Sequence, residues 1–304
     1  MRMIAKKLTM FAVCIFVLVS LAACNPSQYE ESDQKIIPAK SLSSYIGKEN
    51  VAIVDMQSAE DYAAGHVAGA VNLSKDDIVI NVPVDNMLTS KSKIEKLMSA
   101  SGIGNDTTVI AYDSNKMNAP RFFWTMLMYG NENVKVVDGG IEAIKAAGIS
   151  LSTEAPAITP TTYTAGEKQT QWLATAKDVM AQLNEPDPNV ILLDVRTDEE
   201  FAEKGKVPSS VMYDYINNFY KDGTFKSTET TRIDYINLNM RPEKQIIMYC
   251  QTSMRAAPVF LRLYDAGYRN IKLYDGAYLE WSSNPNNPVE LPAGQVAASK
   301  KDAS

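Results

Sequence analysis

Residues 245–260 read "QIIMYCQTSMRAAPVF": an apolar run ends in Cys250, a short polar loop follows, and Arg255 precedes a second apolar segment. A short apolar run bounded by turn-forming residues is typical of a buried strand. The second segment has the length and composition of a helix start. The stretch therefore predicts a strand, a tight loop and a helix, with Cys250 at the carboxyl end of the strand, where parallel α/β sheets bind their ligands.

A similar unit occurs earlier in the chain as "TVIAYDSNKMNAPRFF", at 108–123, with Asp113 in place of the cysteine. This second occurrence is the first sign of a repeat in the sequence. A carboxylate cannot replace the chemistry of a thiol. We therefore expect the first copy to be catalytically silent, its loop "DSNKMN" to form no anion nest for a nucleophile, and the copy to serve as one wall of a cleft.

Two further matches keep the same order along the chain. "VAIVD" at 51–55 corresponds to "VILLD" at 190–194, and "NVKVVDGG" at 133–140 corresponds to "NIKLYDGA" at 270–277. Three ordered matches at nearly one period indicate two copies of one domain. Because strands alternate with helical segments, each copy is predicted to be an α/β domain with a mostly parallel central sheet flanked by helices.

The N-terminus has the pattern of an export signal. A basic start is followed by the apolar run "LTMFAVCIFVLVSLAA" at 8–23, which is short for a membrane-spanning helix. The run ends in "LAAC", 21–24, which resembles the lipobox of bacterial lipoproteins. The resemblance implies a signal peptide at 1–23, lipidation (palmitate included) of Cys24, a polar tether at 24–35, and an exported protein anchored to the bacterial cell envelope. An unlipidated signal and a simple anchor helix are the alternatives.

The positions of the cysteines leave one free thiol. The chain of 304 residues has three cysteines, one histidine and a net charge of −6. Cys14 leaves with the signal and Cys24 is committed to lipid, so Cys250 remains as the free thiol. A multi-cysteine zinc site is excluded, and the acidic balance argues against nucleic-acid binding.

Motifs in both copies resemble the rhodanese (thiosulfate sulfurtransferase) family. They are "IVDMQSAEDYAAGHVAGAVNL" (53–73), "VVDGGIEAI" (136–144), "LLDVRTDEEF" (192–201), "YCQTSMRA" (249–256) and "YDGAYLEW" (274–281). The resemblance implies a five-stranded parallel sheet in each domain, a persulfide on the loop cysteine, and activity in the C-terminal domain alone. The expected boundaries are an inactive domain at 36–152, a linker at 153–171, a catalytic domain at 172–292 and a polar tail at 293–304.

The loop after the strand has the composition of a thiolate-stabilising site. A thiolate is the reactive form of cysteine, and a helix N-terminus with inward backbone N–H groups favours its charge. We expect Cys250 to be the catalytic nucleophile. The residues expected to contact substrate are Gln251, Thr252, Ser253, Met254 and Arg255, the last as a permanent cation. A buried inert cysteine and a solvated arginine are the corresponding structural interpretations.

These residues predict a sulfurtransferase that needs neither a metal nor an organic cofactor. Sulfane sulfur would pass from a small anionic donor, such as thiosulfate or 3-mercaptopyruvate, to Cys250 and then to a thiol or cyanide-like acceptor. The alternative is a membrane-anchored, non-catalytic module that binds anions or senses redox state. Phosphatase chemistry is disfavoured, because phosphatase loops have five residues between cysteine and arginine, and this loop has four.

Neighbouring residues refine the expectation. Asp194 is expected to be structural near the site, and Arg196 either contacts the substrate or ties to the loop, unless it is a surface arginine. His66 is expected to be structural. Ser253 stands where many family members have glycine, which adopts φ > 0 freely, so the loop is expected to be either strained or slightly different in shape. Glu200 would repel an anionic donor if it lined the pocket, which leaves the donor open.

Overall fold

Two five-stranded sheets form the centre of the protein, for which a computed structural model describes residues 29–30, 33–292 and 296–297. The predicted signal peptide, Cys24 and most of the predicted polar tail lie outside these residues. Within them, no helix is long and apolar enough to cross a membrane.

The first domain begins with a short strand and a 3-10 helix at Ala39–Ser44. Its strands are β1 (Ile36–Ile37), β2 (Val51–Asp55), β3 (His66–Val67), β4 (Val71–Asn72), β5 (Val79–Ile80), β6 (Met87–Leu88), β7 (Thr108–Tyr112), β8 (Val134–Val137) and β9 (Leu151–Ser152). The helices are α1 (Ala59–Ala64), α2 (Lys75–Ile78), α3 (Lys91–Ala100), α4 (Asn118–Met128) and α5 (Gly140–Ala146). The central sheet has the order β1-β8-β7-β2-β4, and every neighbouring pair is parallel.

The second domain repeats this arrangement, with 3-10 helices at Thr170–Trp172 and Tyr215–Asn218. Its strands are β10 (Leu173–Ala174), β11 (Val190–Asp194), β12 (Val211–Met212), β13 (Gln245–Tyr249), β14 (Ile271–Tyr274), β15 (Val289–Glu290) and β16 (Val296–Ala297). Its helices are α6 (Ala176–Asn184), α7 (Asp198–Lys204), α8 (Thr228–Asn237), α9 (Ala256–Asp265) and α10 (Ala277–Ser283). The sheet order β10-β14-β13-β11-β12 is again all parallel, which confirms the predicted fold class and the repeat.

Helices α4 and α9 join the two domains. Both are apolar almost all round, as expected of helices buried on every side, and each is buried along nearly its whole length. They pack against each other, and Phe123 of α4 meets Tyr264 of α9 edge to face, with the ring centroids 5.5 Å apart. One apolar cluster contains residues of both helices, so neither domain buries its helix without the other.

Two reciprocal hydrogen bonds also connect the domains. The backbone N–H of Leu88 donates to Asp275 Oδ2 at 2.7 Å, and the N–H of Phe225 donates to Asp138 Oδ1 at 2.7 Å. The repeat offset that relates Asp138 to Asp275 also relates Leu88 to Phe225. Each domain therefore uses an aspartate at the equivalent position, directly after its last central strand, to bind the N–H at the equivalent position of the other domain.

Segments at the domain edges are also held by specific contacts. The ring of Tyr29 packs edge to face on Tyr268 at 5.3 Å, so the chain touches the second domain before it enters the first.

His66 is fully buried, and its two ring nitrogens lie 2.8 and 3.0 Å from the carbonyl oxygens of Tyr62 and Glu154. These contacts give His66 a structural position, between α1 and the segment that follows β9.

Candidate active site

Cys250 follows β13 directly and lies at the carboxyl edge of the second sheet. Its carbonyl oxygen accepts a hydrogen bond from the N–H of Tyr278 at 2.9 Å, and that of Gln251 accepts one from Leu279 at 3.0 Å. These two bonds fix the start of the loop against α10. Cys250 is 1% exposed and is a free thiol. The side chain is therefore enclosed.

The loop has one residue in the left-handed region. Ser253 has φ of 63°, and Lys116, at the equivalent position of the silent copy, has φ of 62°. Of the two expected outcomes, a strained loop or a loop of different shape, this conformation corresponds to the strained one. A glycine adopts this conformation freely, whereas a residue with a Cβ atom bears roughly 1–2 kcal/mol of strain. Ser253 must therefore be held in place by its surroundings.

The equivalent loop of the first copy shows what a loop of this shape can bind. The two carboxylate oxygens of Asp113 accept hydrogen bonds from the backbone N–H groups of Lys116 and Ala119, both at 2.9 Å. Burial raises the pKa of Asp113, and the loop amides oppose that rise. The expectation that this loop forms no anion nest for a nucleophile stays a prediction. The loop is a nest of amides, and it is filled by the loop's own carboxylate.

Arg255 does not stand free in the loop. Its Nη1 and Nη2 atoms lie 2.5 and 2.7 Å from the two carboxylate oxygens of Glu200, and each side chain is 21% exposed. These hydrogen bonds raise the pKa of Arg255 above its ordinary value, against the effect of burial, and the charge of Cys250 acts in the same direction. Arg255 is thus a permanent cation whose charge Glu200 compensates, and its contact with substrate stays a prediction.

Glu200 is itself held by the start of α7. Thr197 caps this helix: its hydroxyl accepts from the N–H of Glu200, while Glu200 Oε2 accepts from the N–H of Thr197, both at 3.2 Å. This reciprocal pair is a capping box. Glu200 is expected to repel an anionic donor only if it lines the pocket, and its carboxylate instead faces Arg255. The pair ties the end of the active loop to α7.

Arg196 is a structural residue rather than a substrate contact, which corrects one of the sequence expectations. Arg196 and Asp194 are both fully buried, and Nη2 of the arginine lies 2.6 Å from Oδ2 of the aspartate. The same nitrogen donates to the carbonyl oxygen of Gly205 at 2.8 Å. The guanidinium lies 3.7 Å from the centre of the Tyr278 ring. Its charge is thus compensated inside the domain.

The remaining loop residues differ in exposure. Gln251 and Thr252 are partly exposed, whereas Ser253 and Met254 are buried. The Oε1 atom of Gln251 is buried and has no hydrogen-bond partner among the residues that the structure describes. An unpaired buried acceptor beside Cys250 is a group that a bound reactant or water can satisfy. Gln251 and Thr252 therefore form the reachable side of the loop, and Met254 does not.

Sequence reasoning missed a residue from the first domain. Arg121 of α4 is fully buried, and its Nη1 donates to Ser253 Oγ at 3.0 Å. Its Nη2 donates to Asp275 Oδ1 at 2.7 Å and to the carbonyl oxygen of Asn86 at 2.8 Å. The available signal was an arginine inside the apolar run "APRFFWTML", because a charge on a buried helix face requires a partner.

Among the described residues, no group of three or more His, Cys, Asp or Glu side chains is arranged to hold a metal ion. The site as described consists of one thiol, the loop amides and the ion pairs that Arg255 and Arg121 form beside them.

Comparison with known proteins agrees with this geometry. The family model described as "Rhodanese-like domain" matches residues 38–147 and 175–284. A provisionally named thiosulfate sulfurtransferase of Saccharopolyspora erythraea is 32% identical over 254 residues, which cover 78% of this chain and 88% of that protein. The sulfur carrier protein TtuD of Thermus thermophilus is 29% identical over 246 residues, covering 75% and 86%.

A solved structure shows the same fold. The anaerobic ergothioneine biosynthesis enzyme from Chlorobium limicola superposes with a TM-score of 0.74 at 20% sequence identity, covering 84% of this chain and 70% of that one. At this identity the similarity concerns the fold alone.

Proposed function

The chain belongs to the rhodanese family, as a protein of two rhodanese-like domains with sulfurtransferase relatives, and from this premise we propose that it moves sulfane sulfur through a persulfide on Cys250. The Cys250 thiolate attacks the outer sulfur of a donor, and the bond between that sulfur and the rest of the donor breaks. With thiosulfate the leaving group is sulfite, which takes the electron pair. A nucleophilic acceptor then removes the outer sulfur and releases the thiolate.

The observation that carries this proposal is the pair of equivalent loops. In the silent loop, the amides of Lys116 and Ala119 hold the carboxylate of Asp113. The repeat places the amides of Ser253 and Ala256 at the corresponding positions after Cys250. Because a persulfide anion needs hydrogen-bond donors and no base, an amide nest suits its outer sulfur. The first domain lacks the thiol, which leaves the reaction to the second.

The Arg255–Glu200 pair supports a loop of fixed shape. A compensated guanidinium contributes little net charge to the binding of a donor, so the donor's charge falls on the amides. Gln251 and Thr252, on the reachable side, are the side chains that a donor or acceptor meets. Thiosulfate and 3-mercaptopyruvate are the proposed donors, and a thiol or cyanide is the proposed acceptor.

The test uses the chain without residues 1–24, incubated with either donor and with cyanide. We expect thiocyanate to form, and the intact mass after donor treatment alone to increase by one sulfur atom. Both signals should disappear in Cys250→Ser, whereas Cys14 and Cys24 are absent from this form and need no control. If neither donor adds sulfur to the wild-type protein, the persulfide proposal is wrong for these donors.

The burial of Cys250, at 1% exposure, favours one second candidate. In it the protein is a non-catalytic module whose loop binds an anion or reports redox state. This function predicts that donors leave the mass of the protein unchanged while oxidants still modify Cys250. The two candidates are thus separated by the same mass measurement.

The proposed location is the bacterial cell envelope, through a lipid on Cys24. The support is the "LAAC" motif at 21–24, which follows the basic and apolar segments of an export signal. Cells expressing the full chain should incorporate labelled palmitate into the wild-type protein and none into Cys24→Ser. Incorporation into both proteins would contradict lipidation at this residue.

A further inference from the structure

The active loop of the second domain is contacted by a charged side chain of the first. Arg121 lies on α4, is fully buried, and reaches Ser253 Oγ at 3.0 Å and Asp275 Oδ1 at 2.7 Å. Its guanidinium also lies 4.4 Å from the ring centre of Trp124. A buried ion pair of this kind contributes little net stability, since desolvation offsets the attraction, but it fixes the geometry of the groups around it.

Ser253 is the loop residue that most needs such support. It adopts φ of 63° and is fully buried. Its hydroxyl oxygen accepts a hydrogen bond from Arg121. The same hydroxyl can donate to Asp275 Oδ1, at 3.2 Å, or to the carbonyl oxygen of Asn86, at 3.5 Å. A glycine would relax freely between left- and right-handed conformations. Here the serine hydroxyl is bonded by groups of both domains, which hold the strained conformation.

The repeat supplies a comparison inside the same molecule. The Leu88–Asp275 bond has its counterpart in the bond between Phe225 and Asp138 at the silent loop. The position equivalent to Arg121 in the second copy is Pro258, which cannot make such bonds. Among the described residues, an arginine that hydrogen-bonds this loop position from the other domain is therefore found at Ser253 and not at its counterpart, Lys116. The buried arginine of α9, Arg262, hydrogen-bonds groups of its own domain, Asp265 and the carbonyl oxygen of Lys226, although its charge also acts on Asp138.

We propose that Arg121 is a positioning residue for sulfur transfer, by which the silent domain holds the Cys250 loop in its reactive shape through Ser253 and Asp275. The inference rests on the proposed function. Arg121 touches neither reactant nor sulfur. It keeps the amides after Cys250 pointed at the place of the outer sulfur, and a misplacement of about 1 Å in such groups costs up to ~100-fold in rate.

The experiment compares variants of the chain lacking residues 1–24. Arg121→Met should lower kcat for thiosulfate-to-cyanide transfer by about 10- to 100-fold, with the KM for thiosulfate changed less than about twofold, because no substrate contact is lost. Arg121→Lys, which keeps one charged donor, should recover part of kcat. Asp138→Asn is the matched control. It weakens the bond from the N–H of Phe225 to Asp138, which is the counterpart of the Leu88–Asp275 bond, and should leave kcat within about twofold of the wild type.

A double-mutant cycle tests the route through Ser253. Ser253→Gly removes the hydroxyl that Arg121 binds. In that background, Arg121→Met should lower kcat by a clearly smaller factor than in the wild type, because the bond to Ser253 is already absent and only the contact with Asp275 is lost. If Arg121→Met lowers kcat equally with and without Ser253, the route through Ser253 is wrong. If Arg121→Met and Asp138→Asn lower kcat to the same extent, Arg121 is only part of the domain interface.

A readout that needs no activity separates this inference from the proposed function. In the folded protein Cys250 is 1% exposed, so iodoacetamide should react slowly with it. Arg121→Met should speed this alkylation at least about fivefold through loosening of the loop, and Asp138→Asn should not. If the wild type carries no sulfur, the proposed function fails, and the alkylation result still decides on Arg121. Equal alkylation rates of the wild type and Arg121→Met would overturn the inference. If the methionine variant does not fold, the same comparison is made with Arg121→Lys.

Discussion

At the scale of single residues, the charges around Cys250 are arranged in pairs. Arg255 binds Glu200, Arg196 binds Asp194 and Arg121 binds Asp275. The last two pairs are almost completely buried, whereas the first remains partly exposed. The partly exposed pair is the one whose protonation can be followed in solution, and it therefore gives a test of the loop's attachment.

Glu200→Gln should destabilise the protein in a pH-dependent way. Burial raises the pKa of Glu200, but hydrogen bonds from Arg255 and the N–H of Thr197 outweigh it and hold that pKa below the usual 4.5. The pair thus contributes stability above the unfolded-state pKa and loses it as the pH falls through the lowered folded-state value. We expect a loss of about 1–2 kcal/mol near pH 7, which shrinks toward zero below about pH 4.

Urea titrations of both proteins over this pH range measure the difference. Glu203→Gln is the control, since Glu203 lies on the same helix and is exposed. Its effect should be small at every pH. A destabilisation by Glu200→Gln that is independent of pH would show that the ion pair is not the cause.

The residue scale is also where sequence reasoning was least complete. The position of Cys250 at a strand end and the possibility of strain at Ser253 followed from local pattern and from the family resemblance. The partners of Arg255 and Arg121 did not, because Glu200 lies on a different helix and Asp275 lies in the other domain. The partner of Arg196, Asp194, is only two residues away along the chain. A side chain's charge is visible in a sequence, whereas the carboxylate that neutralises it depends on how the elements pack.

At the scale of elements, the turns that begin α5 and α10 are the point where the two copies differ. Gly140 has φ of 58° and Ala277, its counterpart, has φ of 55°. A Cβ atom at Gly140 would lie 2.2 Å from the carbonyl oxygen of Asp113. Ala277 carries its Cβ atom in a fully buried position. The second copy thus accommodates a side chain next to its cysteine loop where the first cannot.

This difference predicts unequal effects of two substitutions. Gly140→Ala should destabilise the protein by about 2–4 kcal/mol, because the new methyl group collides with backbone. Ala277→Gly should change stability by less than about 1 kcal/mol, since relief of the left-handed conformation opposes the added freedom of the unfolded chain. Denaturant midpoints of both variants provide the comparison. Equal destabilisation by the two would mean that the turns have the same structure.

The order of elements was largely predictable. Apolar runs ending in Asp or Cys located the central strands, and the nearly constant spacing of the matching motifs showed that one sheet occurs twice. The short strands β5 and β6, with the segment between them, were not predicted, because two-residue strands leave no periodicity to detect. Their contacts with the second domain, at Asn86 and Leu88, are what bring the silent copy to the active loop.

At the scale of the whole molecule, the shared core predicts one unfolding transition. Phe123 is 1% exposed and packs on Tyr264 across the α4–α9 contact. Phe123→Ala should cost about 3–5 kcal/mol and lower the temperature of a single calorimetric transition, because both domains lose packing together. Two separate transitions, with only one shifted by the substitution, would show that the domains unfold independently.

The reciprocal bonds from Leu88 to Asp275 and from Phe225 to Asp138 bear on how a two-domain chain of this kind can arise. A patch that binds its own copy in both directions is the hallmark of a two-fold dimer. One such domain would carry both halves of the contact, so two identical subunits could once have closed on each other as these domains do. Within one chain the two halves need not be the same: one carries the thiol, and the other carries a carboxylate that its own loop amides bind.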